Sequence, residues 1–541
     1  MPRCIYAPLV DLSVRRRAGL LLLGVVSAFA FTQLVPSAVG SRAREGGTFR
    51  FVGPDVLAVA DPAINGAFPS GVCGALMGYP DKALPEGLRL APELAVASPG
   101  VSDGGKTYTF VIRRNAHFST GKPVLARDAK DSLERVLTPA LKSEVAYLFE
   151  NVAGARRMLS GKATALSGVT ASGRTLVVRL VTPVPDFPAR TSQLCVTPAG
   201  LPRDAEGVKA PIPSAAPYYV SRFIPGEQIV DERNTFYAGE RPQHVDRFVG
   251  DFSSWDPAAA VEQVAKGEVE SMAPVGASAL DLGQLARRYG VNRSQFFVRS
   301  GLAGRSFYLN TSRPLFRDNA ELRRAVNFAV DRAALIREFG RYAATSTDQF
   351  LPPAVPGYRN ARIYPLDGPD LQRARALAAG HTRGGRAVLY TCTEPSYCIA
   401  PAQVLQRDLR AIGLRVQIKS FPIGVYFQKA AAPHEPYDII LIGWGPSYND
   451  PGEFLQLFDG RSGAANFSHF DDPKYNRLLD RAGSLSGEAR YRAYGDLDVQ
   501  LARDAAPAIP YAVYNTWAFV SPNVGCVIMK PDFDMDAACL K

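Results

Sequence analysis

Apolar and polar residues alternate with a period of two along several short stretches of this chain and with a period near 3.6 along others. Thr48-Phe49-Arg50-Phe51-Val52, entered through Gly46-Gly47, predicts a first strand. Asp103-Gly104-Gly105 is a turn into a second, Tyr108 to Arg113, and Asn115 to Pro123 is a loop. Ala126 to Val136 has helical spacing, with Leu133, Val136 and Leu137 on one face. Ser172-Gly173-Arg174 turns into the strand Thr175 to Leu180, and Pro225-Gly226 sits at the tip of a hairpin from Tyr218 to Arg233. A single long helix is expected from Asn319 to Phe339, capped by Asp318 with Glu321 as the reciprocal half of the box. Leu322, Val326, Ala329, Val330, Ala333 and Leu335 or Ile336 would face inward, and Gly340 would end it. Downstream, a strand at Ala387–Thr391, a helix at Ala402–Ile412, and strands at Leu414–Ile418 and Tyr437–Ile442 follow one another. This rhythm predicts an α/β fold with mixed sheets and right-handed crossovers, and the lack of a short repeat argues against a solenoid or propeller.

Length and composition narrow the class. A chain of 541 residues can build two or three packed units, and 47% apolar with 21% charged residues is the balance of a globular protein. Arg15-Arg16-Arg17 precede an apolar stretch from Ala18 to Phe31, followed by Pro36-Ser37-Ala38-Val39-Gly40, so residues 1–40 read as a secretory signal. An uncleaved anchor is the alternative, disfavoured because the apolar stretch is shorter than a full span. The tri-arginine is only a poor match to a twin-arginine signal, and the position of Cys4 ahead of the apolar stretch disfavours a lipoprotein. Cleavage removes four arginines and one aspartate, leaving about +8 of the formal +11. No basic stripe concentrates that charge, which argues against nucleic-acid binding. Six cysteines would remain, an even number suited to an oxidising compartment. Cys392 with Cys398 can close a small loop and Cys526 with Cys539 can tie down the tail, leaving Cys73 with Cys195 among the fifteen possible connectivities.

Catalytic constellations are thin. Gly100-Val101-Ser102-Asp103-Gly104 matches G-x-S-x-G but lies in a turn rather than between a strand and a helix. Gly121-Lys122 lacks the rest of a phosphate loop. The five histidines show no metal-ligand spacing and there is no C-x-x-C, so no metal or cofactor is expected. Carboxylates are plentiful, and a pair such as Asp450 with Glu453 is one candidate for acid–base work, without a distance to support it. More informative is Gly443-Trp444-Gly445-Pro446-Ser447-Tyr448-Asn449-Asp450-Pro451, which follows the apolar run Tyr437 to Ile442. In an open α/β sheet, ligands sit just past the carboxyl end of such a strand.

That segment resembles the GW-x-x-DY-x-DP motif of family 5 solute-binding proteins, the peptide- and nickel-capturing subunits of ABC importers. Further blocks resemble the same family in the same order. They are Gly46 to Arg50, Ala91-Pro92-Glu93-Leu94-Ala95 with Asp103 to Phe110, Phe118 to Val124 and Asp128 to Arg135. Pro225-Gly226-Glu227 with Glu232-Arg233-Asn234, Leu309-Asn310-Thr311 with Arg323 to Arg332, and Ala506 to Pro510 complete the series. The resemblance implies a two-lobed clamshell of the periplasmic-binding-protein type (type II-like), with an extra insert subdomain in the first lobe. Lobe I would comprise 46–88, 205–300 and 508–541, with the insert at 89–204 and lobe II at 301–507. It further implies a non-enzymatic, monomeric capture protein in the periplasm or outside the cell. Such a protein closes on a peptide-like or other small polar solute and delivers it to an ABC permease in the membrane. A ligand-sensing module for a receptor and a secreted hydrolase using Ser102 are the competing readings. Within the leading one, nickel or haem cargo stays open.

Trp444, Ser447, Tyr448 and Asn449 are the expected ligand contacts, with Tyr79 and Phe307-Tyr308 on the opposite walls and Met77 in the core. Their bland alternatives are core packing for the aromatics and turn stabilisation for Asn449. Two departures bear on the ligand. Ser447 stands where the family's peptide binders carry an aspartate for the α-ammonium, and serine offers a hydrogen bond but no charge. Pro213-Ser214-Ala215-Ala216-Pro217-Tyr218 lacks the glycines of the usual G-T/S-GPY. A solute other than an ordinary peptide with a free amino terminus is therefore expected.

Overall fold

The computed structural model describes residues 44–541 except 55–58, 66–69, 275–279 and 433, so the signal read at 1–40 lies outside the described residues. Three sheets carry the architecture. Thr48–Val52 lies parallel to Arg247–Asp251 on one side and to Ser271–Met272 on the other, and Gln228–Arg233 and Tyr218–Ile224 extend this five-stranded sheet antiparallel. Phe49, Tyr218 and Phe248 form its aromatic centre, with Tyr218 edge-on to Phe248 at 4.8 Å. Gly100–Ser102, Thr107–Val111, Thr175–Arg179 and Val169–Ser172 make an antiparallel sheet of four strands, over which the Ala126–Val136 helix packs. Leu133, Phe110, Phe149 and Phe187 fill the core between them.

The third sheet has six strands in the order Ala344–Ser346, Ala508–Phe519, Phe296–Leu309, Ile439–Trp444, Arg386–Cys392, Arg415–Phe421. The last three run parallel to one another, and the others are antiparallel. Helices cover both faces, so the Ile439–Ile442 run is buried on each side, as the apolar pattern requires. The fold is thus the mixed α/β architecture that the sequence pattern predicts, in the two-lobed arrangement with an inserted subdomain that the family resemblance implies.

Two long strands join the six-stranded sheet to the five-stranded one. Phe296–Leu309 and Ala508–Phe519 run antiparallel, and just beyond them Val520 pairs with Ser271 while Ser521 N donates to Glu270 O at 2.9 Å. Their register slips midway. Ser300 faces Asn515 and Gly304 faces Val513, so three residues oppose Tyr514 alone. Such a bulge bends and twists a strand pair locally. Gly301 stands inside it, where a Cβ would come within 2.7 Å of Tyr514 O.

The helix expected from Asn319 to Phe339 is two helices, Ala320–Ala329 and Arg332–Phe339, broken at Val330 and Asp331. Asp331 caps the second by accepting from Ala334 N at 2.8 Å, and its own N–H is taken by Asp408. The break lets the buried Arg332 donate to Asn327 O, Thr347 O and Pro510 O, tying the helices to the Ala508–Phe519 strand. Asp318 is not the cap; Asn319 occupies that position without a side-chain cap bond.

The six cysteines pair as Cys73–Cys195, Cys392–Cys398 and Cys526–Cys539, as expected. Of the three disulfides Cys73–Cys195 closes the largest loop, 122 residues, for which chain entropy predicts a stabilisation of about 5 kcal/mol.

Asp231 sits buried in the five-stranded sheet with Oδ1 lacking a hydrogen-bond partner. Burial, with Asp536 adding to it, pushes its pKa up to about 7. Between the unfolded value near 4 and this value the native state holds a proton that the unfolded chain has lost. Its contribution to stability is therefore complete below about pH 4 and falls away as pH rises to about 7. Asp231→Asn is expected to flatten that slope. Urea unfolding at pH 4.5 and 7.5 should show the variant gaining at least about 1 kcal/mol on wild type at the higher pH.

Candidate functional site

After Ile442 the chain leaves the six-stranded sheet. Gly443 to Ser447 are partly exposed, and Tyr448, Asn449 and Asp450 are buried again. Asp450 roots this loop in its own lobe. Its carboxylate forms a two-point ion pair with Arg490 of the Gly487–Gln500 helix, at 2.7 and 3.1 Å, and accepts Gly452 N at 2.7 Å. A Cβ on Gly452 would lie 2.8 Å from both partners of that pair, so only glycine fits. Glu453 holds the loop from inside, its Oε2 accepting Ser447 N at 3.3 Å and its carbonyl accepting Trp444 Nε1 at 3.0 Å. Asp450 and Glu453, the carboxylates considered for acid–base work, are thus occupied in positioning the loop.

The tip of the loop meets the other lobe. Tyr448 is buried in the apolar cluster of the four-stranded unit and donates to Asp186 at 2.5 Å. Burial alone would raise the Asp186 carboxyl, but Arg190, Arg490 and the Tyr448 hydroxyl together hold it below the usual carboxylate range. Burial and the nearby Asp186 raise the Tyr448 phenol well above its ordinary value, keeping it a neutral donor. Asn449 N donates to the Tyr79 hydroxyl and Asn449 Nδ2 to Leu88 O, both at 3.0 Å. Ser447 Oγ is hydrogen-bonded to the Tyr147 hydroxyl.

Between these contacts lies a cavity of about 310 Å³, within the range typical of small-molecule sites. Pro446, Ser447, Tyr448, Asn449 and Leu302 form one side; Tyr79, Leu88, Glu93, Arg241, Lys530 and the Cys73–Cys195 disulfide form the other. Apart from Asp532, the charges on that second side are already paired. Arg241 binds Asp81, Glu93 and Asp536 at 2.7, 3.2 and 3.1 Å, and Lys530 binds Asp81 and Asp534. Burial raises the Glu93 carboxyl against the pull of Arg241. Asn449 Oδ1 is buried without a partner, an acceptor on the loop. The lining offers hydrogen bonds and apolar surface. Among the described residues no group of three or more His, Cys, Asp or Glu side chains could hold a metal ion, and Ser102 stands exposed on an edge strand outside the cavity lining.

Ser447, Tyr448, Asn449 and Tyr79 come together at this cavity. Trp444 lies just before them, anchored to Glu453 and 6.4 Å from the Phe467 ring. Tyr308 and Phe307 do not reach it. Tyr308 is buried in the six-stranded core against Phe467 and Phe458, at 5.4 and 6.0 Å, and Phe307 stacks on Tyr511. A sheet covered on both faces buries successive side chains in either direction, so neither residue was free to line a wall. Sequence reasoning missed Tyr147, Leu88, Asp186, Arg241 and Lys530. Their partners lie about 150 to 450 residues away or carry no local signature.

The chain as a whole is similar to known proteins. The model of the bacterial extracellular solute-binding proteins, family 5, matches residues 89–466. An oligopeptide-binding protein, OppA, of Bacillus subtilis is 24% identical over 465 residues, covering 81% of this chain and 82% of its own. Heme-binding protein A of Haemophilus influenzae is 27% identical over 273 residues, 48% of this chain and 47% of that one. Among solved structures, clavulanic acid biosynthesis oligopeptide binding protein 2 superposes with a TM-score of 0.80 at 26% identity, covering 93% of this chain and 96% of its own.

The two anchors of the loop should differ in cost. Arg490→Met strands the buried Asp450 and is expected to cost about 3 kcal/mol or more in urea unfolding. Tyr448→Phe removes a single hydrogen bond and should cost about 1–2 kcal/mol.

Proposed function

The chain belongs to the bacterial extracellular solute-binding proteins, family 5, and on that footing we propose that it captures a peptide-like or other small polar solute in the cavity between its lobes. In this reading lobe I comprises 46–88, 205–300 and 520–541, the insert is 89–204, and lobe II is 301–507 together with the Ala508–Phe519 strand, expected in lobe I but paired within the six-stranded sheet. The protein works by binding rather than turnover, as a monomer exported by its N-terminal signal to the periplasm or cell exterior. It delivers its solute to an ABC permease in the membrane. The names of its relatives, oligopeptide-binding proteins above all, support a peptide-like cargo.

One observation carries the reading: the cavity has one wall from the Pro446–Asn449 loop and the other from Tyr79, Leu88 and the Cys73–Cys195 region. A solute filling it touches both lobes at once, so its affinity is higher when they approach, and that difference is what drives hinge closure. The two strands that bend at Gly301–Ala303 are the natural hinge. Trp444, Ser447, Tyr448, Asn449 and Tyr79 are the proposed contacts or their immediate supports.

Ser447 shapes the specificity. Its hydroxyl is engaged with Tyr147 and carries no charge, so a ligand ammonium gains no ion pair there. Calorimetry with mixed di- to pentapeptides tests this. Amino-terminal acetylation is expected to change affinity by less than about threefold, under 1 kcal/mol. Tight binding that collapses on acetylation would contradict the proposal.

A further inference from the structure

Among the described residues five arginines are buried, and four of them have obvious partners. Arg135 pairs with Asp61 at 2.6 Å and Arg490 with Asp450, while Arg323 and Arg332 donate to backbone carbonyls. Arg305 is the exception. It is 2% exposed, Nε and Nη1 have no hydrogen-bond partner, and Nη2 reaches only the Cys398 sulfur at 3.9 Å. Among the described residues no carboxylate lies within ion-pair distance of it. Its guanidinium lies 3.7 Å from the Tyr397 ring centre and 5.4 Å from that of Phe339. Such stacking offsets part of the cost of burying a cation, and a guanidinium stays charged at any physiological pH. The rest of that cost has no compensation within the fold.

The position of this unpaired cation is telling. Arg305 lies on one of the two long strands and stands directly opposite Gly443, the first residue of the loop that leads to the cavity. Leu302, three residues earlier, lines the cavity itself. Gly443 is partly exposed and has no side chain; at the place where a Cβ would stand, the hydroxyls of Tyr397 and Tyr514 are 3.3 and 3.8 Å away. Burial raises the Tyr514 phenol well above its ordinary value, so this hydroxyl is neutral and leaves the arginine without a counter-charge.

We propose that Arg305 is a solute-binding residue, holding a carboxylate of the solute over Gly443 with the help of the Tyr397 and Tyr514 hydroxyls. This rests on the solute-capture reading and specifies its chemistry. Arg305 places a cation in lobe II, whereas Ser447 carries no charge.

The test uses the full mature chain, wild type and Arg305→Met, with a tripeptide pool and its carboxyl-amidated counterpart. Wild type should bind the free-acid pool at least tenfold more tightly than the amidated pool. Arg305→Met should bind both at the amidated level, and its melting temperature without ligand should equal or exceed that of wild type, since an uncompensated buried charge has been removed. A large drop in melting temperature would mean a structural arginine and overturn the inference, as would equal binding of both pools by wild type. If neither pool binds, the peptide reading fails on its own, and acetate and succinate against chloride at equal ionic strength decide this one. Stabilisation of wild type that Arg305→Met lacks sustains it, and equal responses overturn it.

Discussion

A buried ion pair between Asp450 and Arg490 fixes the loop on which the rest of the site depends. The Ile439–Trp444 strand ends inside one lobe, and four residues later Tyr448 and Asn449 are bonded to the other. A loop that short can be placed only if its root is rigid. The two-point contact to Arg490, the bond to Gly452 N and the inward grip of Glu453 supply that rigidity. Buried pairs of this kind add little net stability but are costly to break, so they specify one geometry. Here the geometry specified is the wall of a cavity.

Much of the fold was legible because it is local. The Gly46–Val52 strand, the hairpin around Pro225-Gly226, the Ala126–Val136 helix and the alternation from residue 386 to 444 follow from periodicity and turn residues. What could not be read is long-range. The pairing of Phe296–Leu309 with Ala508–Phe519 spans some two hundred residues, and the bulge opposite Tyr514 leaves no local mark beyond Gly301. The break at Val330-Asp331 shows tertiary contacts overriding a continuous helical pattern, since the bonds of Arg332 and Asp408 require it. Within the candidate site the loop residues carried a motif, whereas Asp186, Arg241 and Lys530 acquire meaning only from carboxylates, amines and carbonyls folded against them. Tyr308 illustrates the converse: an aromatic beside a matched motif, placed by strand alternation in the core.

Charge placement gives the cavity its character. On the lobe I side Arg241 and Lys530 are saturated by carboxylates, and on the loop Ser447 is neutral. A site whose near cations are already paired selects largely by shape and hydrogen bonding, with Asn449 Oδ1 as one unfilled acceptor. The unpaired Arg305 then stands out as an uncompensated cation near the strand end. The departure at Ser447 and the orphaned arginine together describe a capture protein whose charged anchor has the opposite sign to an aspartate.

Closure of the two lobes on a solute about the bent strand pair is open to direct measurement. Because the six cysteines at 73, 195, 392, 398, 526 and 539 are in disulfides, Val101→Cys on the insert and Gln417→Cys on the second lobe give two addressable thiols in the mature chain. Pulsed electron–electron resonance between spin labels there, with and without the solute that co-purifies in native mass spectrometry, reports the interlobe distance. Closure is expected to shift the labels to one narrower distance distribution on saturation. An unchanged distribution with the solute demonstrably bound would contradict it.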